Sequence, residues 1–264
     1  MQLRALEQSF NNLRQVWPHA WPGLPVVLRA CVARLGGVSP RGAAAKVVAC
    51  ALALAQDMER HGQRMGAHEP PYHNRLHTAD TLVSLTFLLQ AQRVHEGQVA
   101  TTLQQREALM LLAMLGHDAE HPGTRNRYPF ELERRSARRV LRAMRSQALS
   151  QSAQAEVEAL ILATEPTTLR QSASRALSAC RLSQFVCRAA LIREADILSS
   201  ALPVLAPSLT RALAKEWGRL DAAMGRRLLA PQAREKFLRD LARFDSPAAQ
   251  ALGLAQVVAR QSRP

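Results

Sequence analysis

The chain has 264 residues, of which 47% are hydrophobic and 21% charged. This is the profile of an ordinary soluble globular protein, long enough for one larger domain or two small ones. Lys and Arg number 35 against 21 Asp and Glu, for a formal net charge of +14; the basic balance admits an anionic substrate, nucleic acid or anionic lipid, and is equally what an Arg-biased solvated surface would give. No run of about 18 uncharged apolar residues is present, which argues against a membrane-spanning helix.

Nearly all the positive charge is Arg, the only lysines being Lys46, Lys215 and Lys236. Cys31, Cys50, Cys180 and Cys187 show no Cys-x-x-Cys spacing, so free buried thiols in a reducing compartment are expected rather than a disulfide framework or zinc knuckle. Met1 to Trp17 has neither a long apolar core nor a small-residue cleavage site, and a cytoplasmic protein is expected.

In chain order, an amphipathic start meets Pro18, Pro22 and Pro25, which interrupt any long helix over residues 1–40. The pattern predicts helices over Ala43–Arg60, Thr78–Val94, Leu103–Gly116 and Phe130–Gln147, with a loop from Gly62 to Pro71. Further helices are expected at about 153–163, 175–199, 207–228, 231–243 and 247–260. Scarce aromatics (4%), abundant Ala and Leu, and no Val/Ile/Thr-rich alternation together predict an all-α fold of roughly ten helices in one compact domain. Residues 1–66 are expected to form an N-terminal helical segment packed on a catalytic core spanning 67–264.

Two clusters carry the chemistry. His117-Asp118-Ala119-Glu120-His121 follows the apolar run Ala108 to Gly116, and Tyr72-His73-Asn74-Arg75-Leu76-His77-Thr78-Ala79-Asp80 lies upstream. An adjacent His-Asp pair offers a nitrogen and an oxygen to one divalent ion, with the second carboxylate oxygen free for another. Asp196 is an acidic point in an otherwise apolar helix, costly there unless paired or metal-bound. Each residue also has an ordinary reading: a core or capping histidine at His73 or His77, an arginine partner for Asp196, a helix-dipole position for Asp80. Their joint occurrence favours a dinuclear site for water-driven chemistry on a phosphate.

On these residues the chain resembles the class I cyclic nucleotide phosphodiesterases of the HD superfamily. The signature His-Asp-x-x-His-x-x-x-x-Asn is matched at His117, Asp118, His121 and Asn126, and Tyr-His-Asn-x-x-His-x-x-Asp at Tyr72, His73, Asn74, His77 and Asp80. Ala195-Asp196 with Ser199, Leu162-Ala163-Thr164 and Leu132-Glu133 also look like family segments. The resemblance implies that His77, His117, Asp118 and Asp196 bind a first metal, Zn²⁺, and that Asp118 bridges to a second, Mg²⁺ or Mn²⁺. It further implies that a hydroxide between them attacks phosphorus in cAMP or cGMP and that His73 protonates the departing ribose oxygen as general acid. His121 and Glu133 would order the water network, and Tyr72, Asn126 and Gln250 would meet the substrate.

The sequence departs from the family in a short segment between Asn126 and Glu133, in the missing histidine after Thr164, and at the C-terminus. There Gln250 stands without a following Phe, so a surface glutamine is the competing reading. Two other functions remain open: an HD-type phosphohydrolase of a different nucleotide, and a non-catalytic nucleotide-binding regulator. The arginine-rich face over 134–145 lacks interleaved aromatics, so a nucleic-acid partner is not expected, and a homo-oligomer is left open.

Overall fold

The structure is a computed structural model that describes residues 2–98, 102–165, 177 and 179–261. Among these residues it is all-α, with no strands and thirteen α-helices. They are α1 (Gln2–Val16), α2 (Leu24–Arg34), α3 (Ala43–Met65), α4 (Arg75–His95), α5 (Gln105–Gly116), α6 (Glu131–Ser146) and α7 (Gln151–Leu162). They continue as α8 (Phe185–Ala201), α9 (Ala206–Gly218), α10 (Ala222–Leu228), α11 (Pro231–Asp240), α12 (Pro247–Ala251) and α13 (Leu254–Gln261).

Helix α4 is the hub. It packs against α1, α2, α5, α8 and α12, so it is buried all round rather than on one stripe, with Leu82, Leu85, Leu88 and Leu89 fully buried. Each such side chain contributes roughly 1.5–3 kcal/mol of transfer free energy. Helix α5 is enclosed from Glu107 through Gly116. A buried two-pronged ion pair joins the two: Arg93 Nε and Nη2 donate to Glu107 Oε1 and Oε2 at 2.6 and 2.5 Å. The same Glu107 accepts the Gln104 amide at 2.8 Å, closing the first turn of α5. Gly116 ends this helix against α6, where a Cβ would stand 2.2 Å from Val140 Cγ2. Only glycine allows that approach just before the His-Asp pair.

Several expected boundaries are corrected. The single helix expected over 207–228 is two, α9 and α10, because Gly218 and Gly225 pack backbone to backbone: a Cβ on Gly225 would lie 2.9 Å from Gly218 Cα. The helix expected over 247–260 breaks at Gly253, whose φ of 72° reverses the chain. Helix α3 continues to Met65, with a 3₁₀ turn at Gly66–His68, into the expected loop. The segment expected to begin a helix at 175 lies partly outside the described residues, and α8 starts at Phe185.

The ordinary reading of Asp80 is also replaced. It is fully buried and gripped by Arg14 of α1, whose Nη1 and Nη2 donate to Oδ1 and Oδ2 at 3.0 and 2.6 Å. This pair ties α1 to α4 one turn below the histidine that α4 carries.

Candidate metal centre

Asn74 caps α4: its Oδ1 accepts the amides of Leu76 and His77, each at 3.0 Å. That cap places His77 in the first turn of the hub helix α4. His117 follows the end of α5, and its Nδ1–H donates to the otherwise orphaned Met114 carbonyl at 2.7 Å. This bond fixes the tautomer and leaves the Nε2 lone pair pointing away from the helix. Asp196 comes from α8, which packs on α4.

The four side chains converge. His77 Nε2 lies 3.3 Å from Asp118 Oδ2 and 3.4 Å from Asp196 Oδ1; His117 Nε2 lies 3.2 Å from each of the same oxygens. Ligands at about 2.0–2.2 Å from one ion stand roughly 3.0–3.4 Å from each other. Two imidazole nitrogens and two carboxylate oxygens are therefore spaced so that they could hold one divalent ion. His77 Nδ1 is buried without a hydrogen-bond partner, so no contact on its far side competes for the ring's orientation.

Electrostatics fit the same conclusion. Two partly buried carboxylates that meet the same two buried imidazoles are stabilised by positive charge between them. Without a metal the imidazoles supply the charge: burial alone would lower the His77 pKa, but the Asp118 and Asp196 carboxylates outweigh it and raise it to about 9. His117 is likewise raised against its burial. Asp118 and Asp196 are held below the usual carboxylate range, burial being overcome by the His117 and His77 charges. The arginine partner considered for Asp196 is not what faces these oxygens.

Beside the cluster lies a second assembly that sequence reasoning missed in part. Glu216 of α9 is buried; its Oε2 accepts the amides of Tyr72 and His73 at 2.9 and 3.0 Å, and its Oε1 meets His73 Nδ1 at 2.5 Å. The His73 ring stacks on His121 with centroids 3.7 Å apart. His121 Nδ1 accepts the Gly123 amide at 3.1 Å. Burial, and then the His73 charge, lower the His121 pKa to about 4, so His121 is neutral at pH 7. His73, His121 and Glu216 also lie close enough to hold an ion. Glu216 Oε2 is already committed to two backbone amides, Oε1 to His73 Nδ1, and His121 Nδ1 to the Gly123 amide. The signal for Glu216 was present: it falls on the Leu209-Ala212-Leu213 stripe of α9, where a carboxylate has no reason to be unless it is used.

The remaining expected residues are distributed as follows. Glu133, half-buried, accepts both Asn126 Nδ2 bonds at 3.1 and 2.9 Å. Burial first, then the charges of Glu165 and Asp118, raises its pKa. Asn126 Oδ1 accepts the Leu132 amide at 2.8 Å, so this side chain organises the entry to α6 as well as Glu133. Tyr72 hydrogen-bonds Ser200 Oγ at 2.8 Å and packs its ring on His73 and His77. Gln250 is exposed, with Nε2 turned back to the Asp245 carbonyl at 3.2 Å. A cleft of about 570 Å³ opens over His73, Asp118 and His121, with Met58, Met65 and Arg139 also in its walls; Gln250 does not line it. The backbone of the metal loop is strained at Glu120 (φ 64°), whose carboxylate is held by Arg139.

Among the described residues no single helix is long and apolar enough to cross a membrane. Residues 72–140 match the model of the family described as 3'5'-cyclic nucleotide phosphodiesterase. Among curated proteins nothing matches the chain.

Proposed function

We propose that the protein, whose residues 72–140 match the family model described as 3'5'-cyclic nucleotide phosphodiesterase, hydrolyses a 3',5'-cyclic nucleotide, cAMP or cGMP, to the nucleoside 5'-monophosphate. The observation that carries the reading is the convergence of His77, His117, Asp118 and Asp196 at 3.2–3.4 Å, beside a histidine whose far nitrogen is held by a buried carboxylate. Those four residues would hold a first ion, Zn²⁺, and Asp118 would share a second, Mg²⁺ or Mn²⁺. Bound divalent ions supply activation of the attacking water and neutralisation of phosphate charge.

The chain's own residues do the rest. Glu216 keeps the His73 Nδ1 position protonated, so Nε2 is the atom that gives a proton to the departing O3'. His121 stacks on His73 as a neutral ring and leaves it as the acid of the pair. Glu133, oriented by Asn126, is the candidate for ordering water near Asp118. The cleft has the size of a small-ligand site. A second reading keeps this chemistry and changes the nucleotide. It is favoured by one observation, that Gln250 faces solvent and the Asp245 carbonyl rather than the cleft.

The test is turnover of cAMP and cGMP by the purified chain, with and without added Mn²⁺ or Mg²⁺, followed as 5'-monophosphate. Asp118→Ala and His117→Ala are expected to lose both metal and activity, and His73→Ala to keep metal and lose rate. Folded, metal-loaded protein that turns over neither nucleotide would overturn the cyclic-nucleotide assignment. Activity surviving in Asp118→Ala would overturn the metal assignment.

A further inference from the structure

The metal loop has a second face. Beyond Pro122 a cavity of about 530 Å³ is bounded by Arg125, Arg127, Arg134, Arg135 and Arg138, with Glu131 as its one acidic residue. Five guanidinium groups thus stand against one carboxylate, and that carboxylate is already taken by Arg127, whose Nε donates to Oε1 at 2.9 Å. Arg134 and Arg125 lie over the faces of Phe130 and Trp217, and each donates one Nη1 bond, to the Pro129 carbonyl at 3.4 Å and to Met224 Sδ at 3.7 Å, with neither meeting a carboxylate among the described residues. Arg138 has no hydrogen bond or ion pair among the described residues, and Arg135 reaches Glu120 only at 4.0 Å. The short connection from Asn126 to Glu133 leads directly into α6, whose residues 134, 135 and 138 line the cavity.

A merely solvated arginine face would be convex and diluted with acids. Here the charges, all on exposed side chains, surround a concavity, where a bound anion lowers their mutual repulsion. One phosphate carries at most about two negative charges, too few for this set, whereas a chain of phosphates matches it. Arginine's planar fork is suited to phosphate oxygens. Tyr128, 56% exposed, stands at the same cavity and offers a ring face on which a base can stack. The cavity and the catalytic cleft share Pro122 and Arg135.

We infer that Arg125, Arg127, Arg134, Arg135 and Arg138 form a binding subsite for a polyphosphate chain, at the mouth of the metal cleft. The chain can come from a nucleoside triphosphate or from inorganic polyphosphate. A nucleic acid is disfavoured because the arginines face one cavity instead of a long groove, and Tyr128 is its only aromatic lining residue. The inference is independent of the cyclic-nucleotide reading.

The experiment is calorimetric titration of the full chain at low salt, without added metal, with tripolyphosphate, with ATP, and with a single-stranded oligonucleotide of equal charge. Wild type and Asp118→Ala should bind tripolyphosphate and ATP alike, which separates arginine-held from metal-held phosphate. Arg134→Gln/Arg138→Gln, both exposed positions, should melt as wild type does and bind about tenfold or more weakly. Tighter binding of ATP identifies a nucleotide as the source, and equal binding identifies inorganic polyphosphate. The inference is overturned if wild type binds neither, if the double variant binds normally, if Asp118→Ala abolishes binding, or if the oligonucleotide binds most tightly.

Discussion

Replacing Glu216 by Gln isolates the proton-handling group without changing side-chain shape. The wild-type carboxylate accepts two backbone amides and His73 Nδ1. Its pKa is lowered because the His73 hydrogen bond and charge outweigh its burial. A glutamine keeps one acceptor: if its oxygen serves the Tyr72 and His73 amides, its NH₂ faces Nδ1 and forces that nitrogen to accept. His73 then presents a neutral Nε2–H, a far weaker acid. General acid catalysis contributes about 10²–10⁴-fold, so kcat on a cyclic nucleotide should fall by about 10²–10³, equivalent to roughly 2.7–4 kcal/mol. The assay pairs that substrate with an aryl phosphodiester whose nitrophenolate departs without protonation. On the aryl ester Glu216→Gln should keep its rate within a few-fold, with bound metal unchanged. Equal slowing on both substrates would show that Glu216 acts by holding the fold or the metal loop, and the acid role of His73 would fall with it.

Arg14→Ala should destabilise the protein by about 3–5 kcal/mol near neutral pH, because it strands the buried Asp80 carboxylate. Burial already raises the Asp80 pKa against the pull of Arg14, and the variant raises it further. A raised carboxyl pKa means the folded state binds more protons than the unfolded state, whose carboxyl titrates near 3.9. Stability of the variant should therefore fall as pH rises above about 4, and urea unfolding near pH 5 should show a smaller deficit than at pH 7; a pH-independent loss below about 1 kcal/mol would refute this. Metal affinity should rise with pH toward about 9, since His77 is protonated below that value in the metal-free protein and must lose its proton to bind. Titration in buffers of different ionisation enthalpy would register the released protons, and affinity independent of pH would contradict the ligand set.

The candidate metal site was the most legible part of the chain because the residues that could hold an ion are rare types in short, dense patterns. His117 and Asp118 are adjacent, and His77 sits three residues after a capping Asn. Asp196 stood out as a charge in an apolar helix, yet whether it met an arginine or a metal depended on what α8 packs against. Glu216 went unread because its meaning lies 143 residues away, at His73. Gln250 and Asn126 were assigned by motif, and their contacts run to Asp245 and Glu133.

Composition and periodicity by themselves determined an all-α chain with apolar helices and two chemistry-bearing clusters, since these follow from local propensity and spacing. The junctions at Gly218, Gly225 and Gly253 were decided by backbone approach and reversal, which a periodic pattern reads through. Only the tertiary structure brought α4, the end of α5 and α8 together so that four atoms able to hold an ion converge. It also set a carboxylate from α9 behind His73 and folded the arginines of α6 around a cavity. Each of these is a long-range juxtaposition, fixed by which helix faces bury against one another and not by any residue's neighbours in sequence.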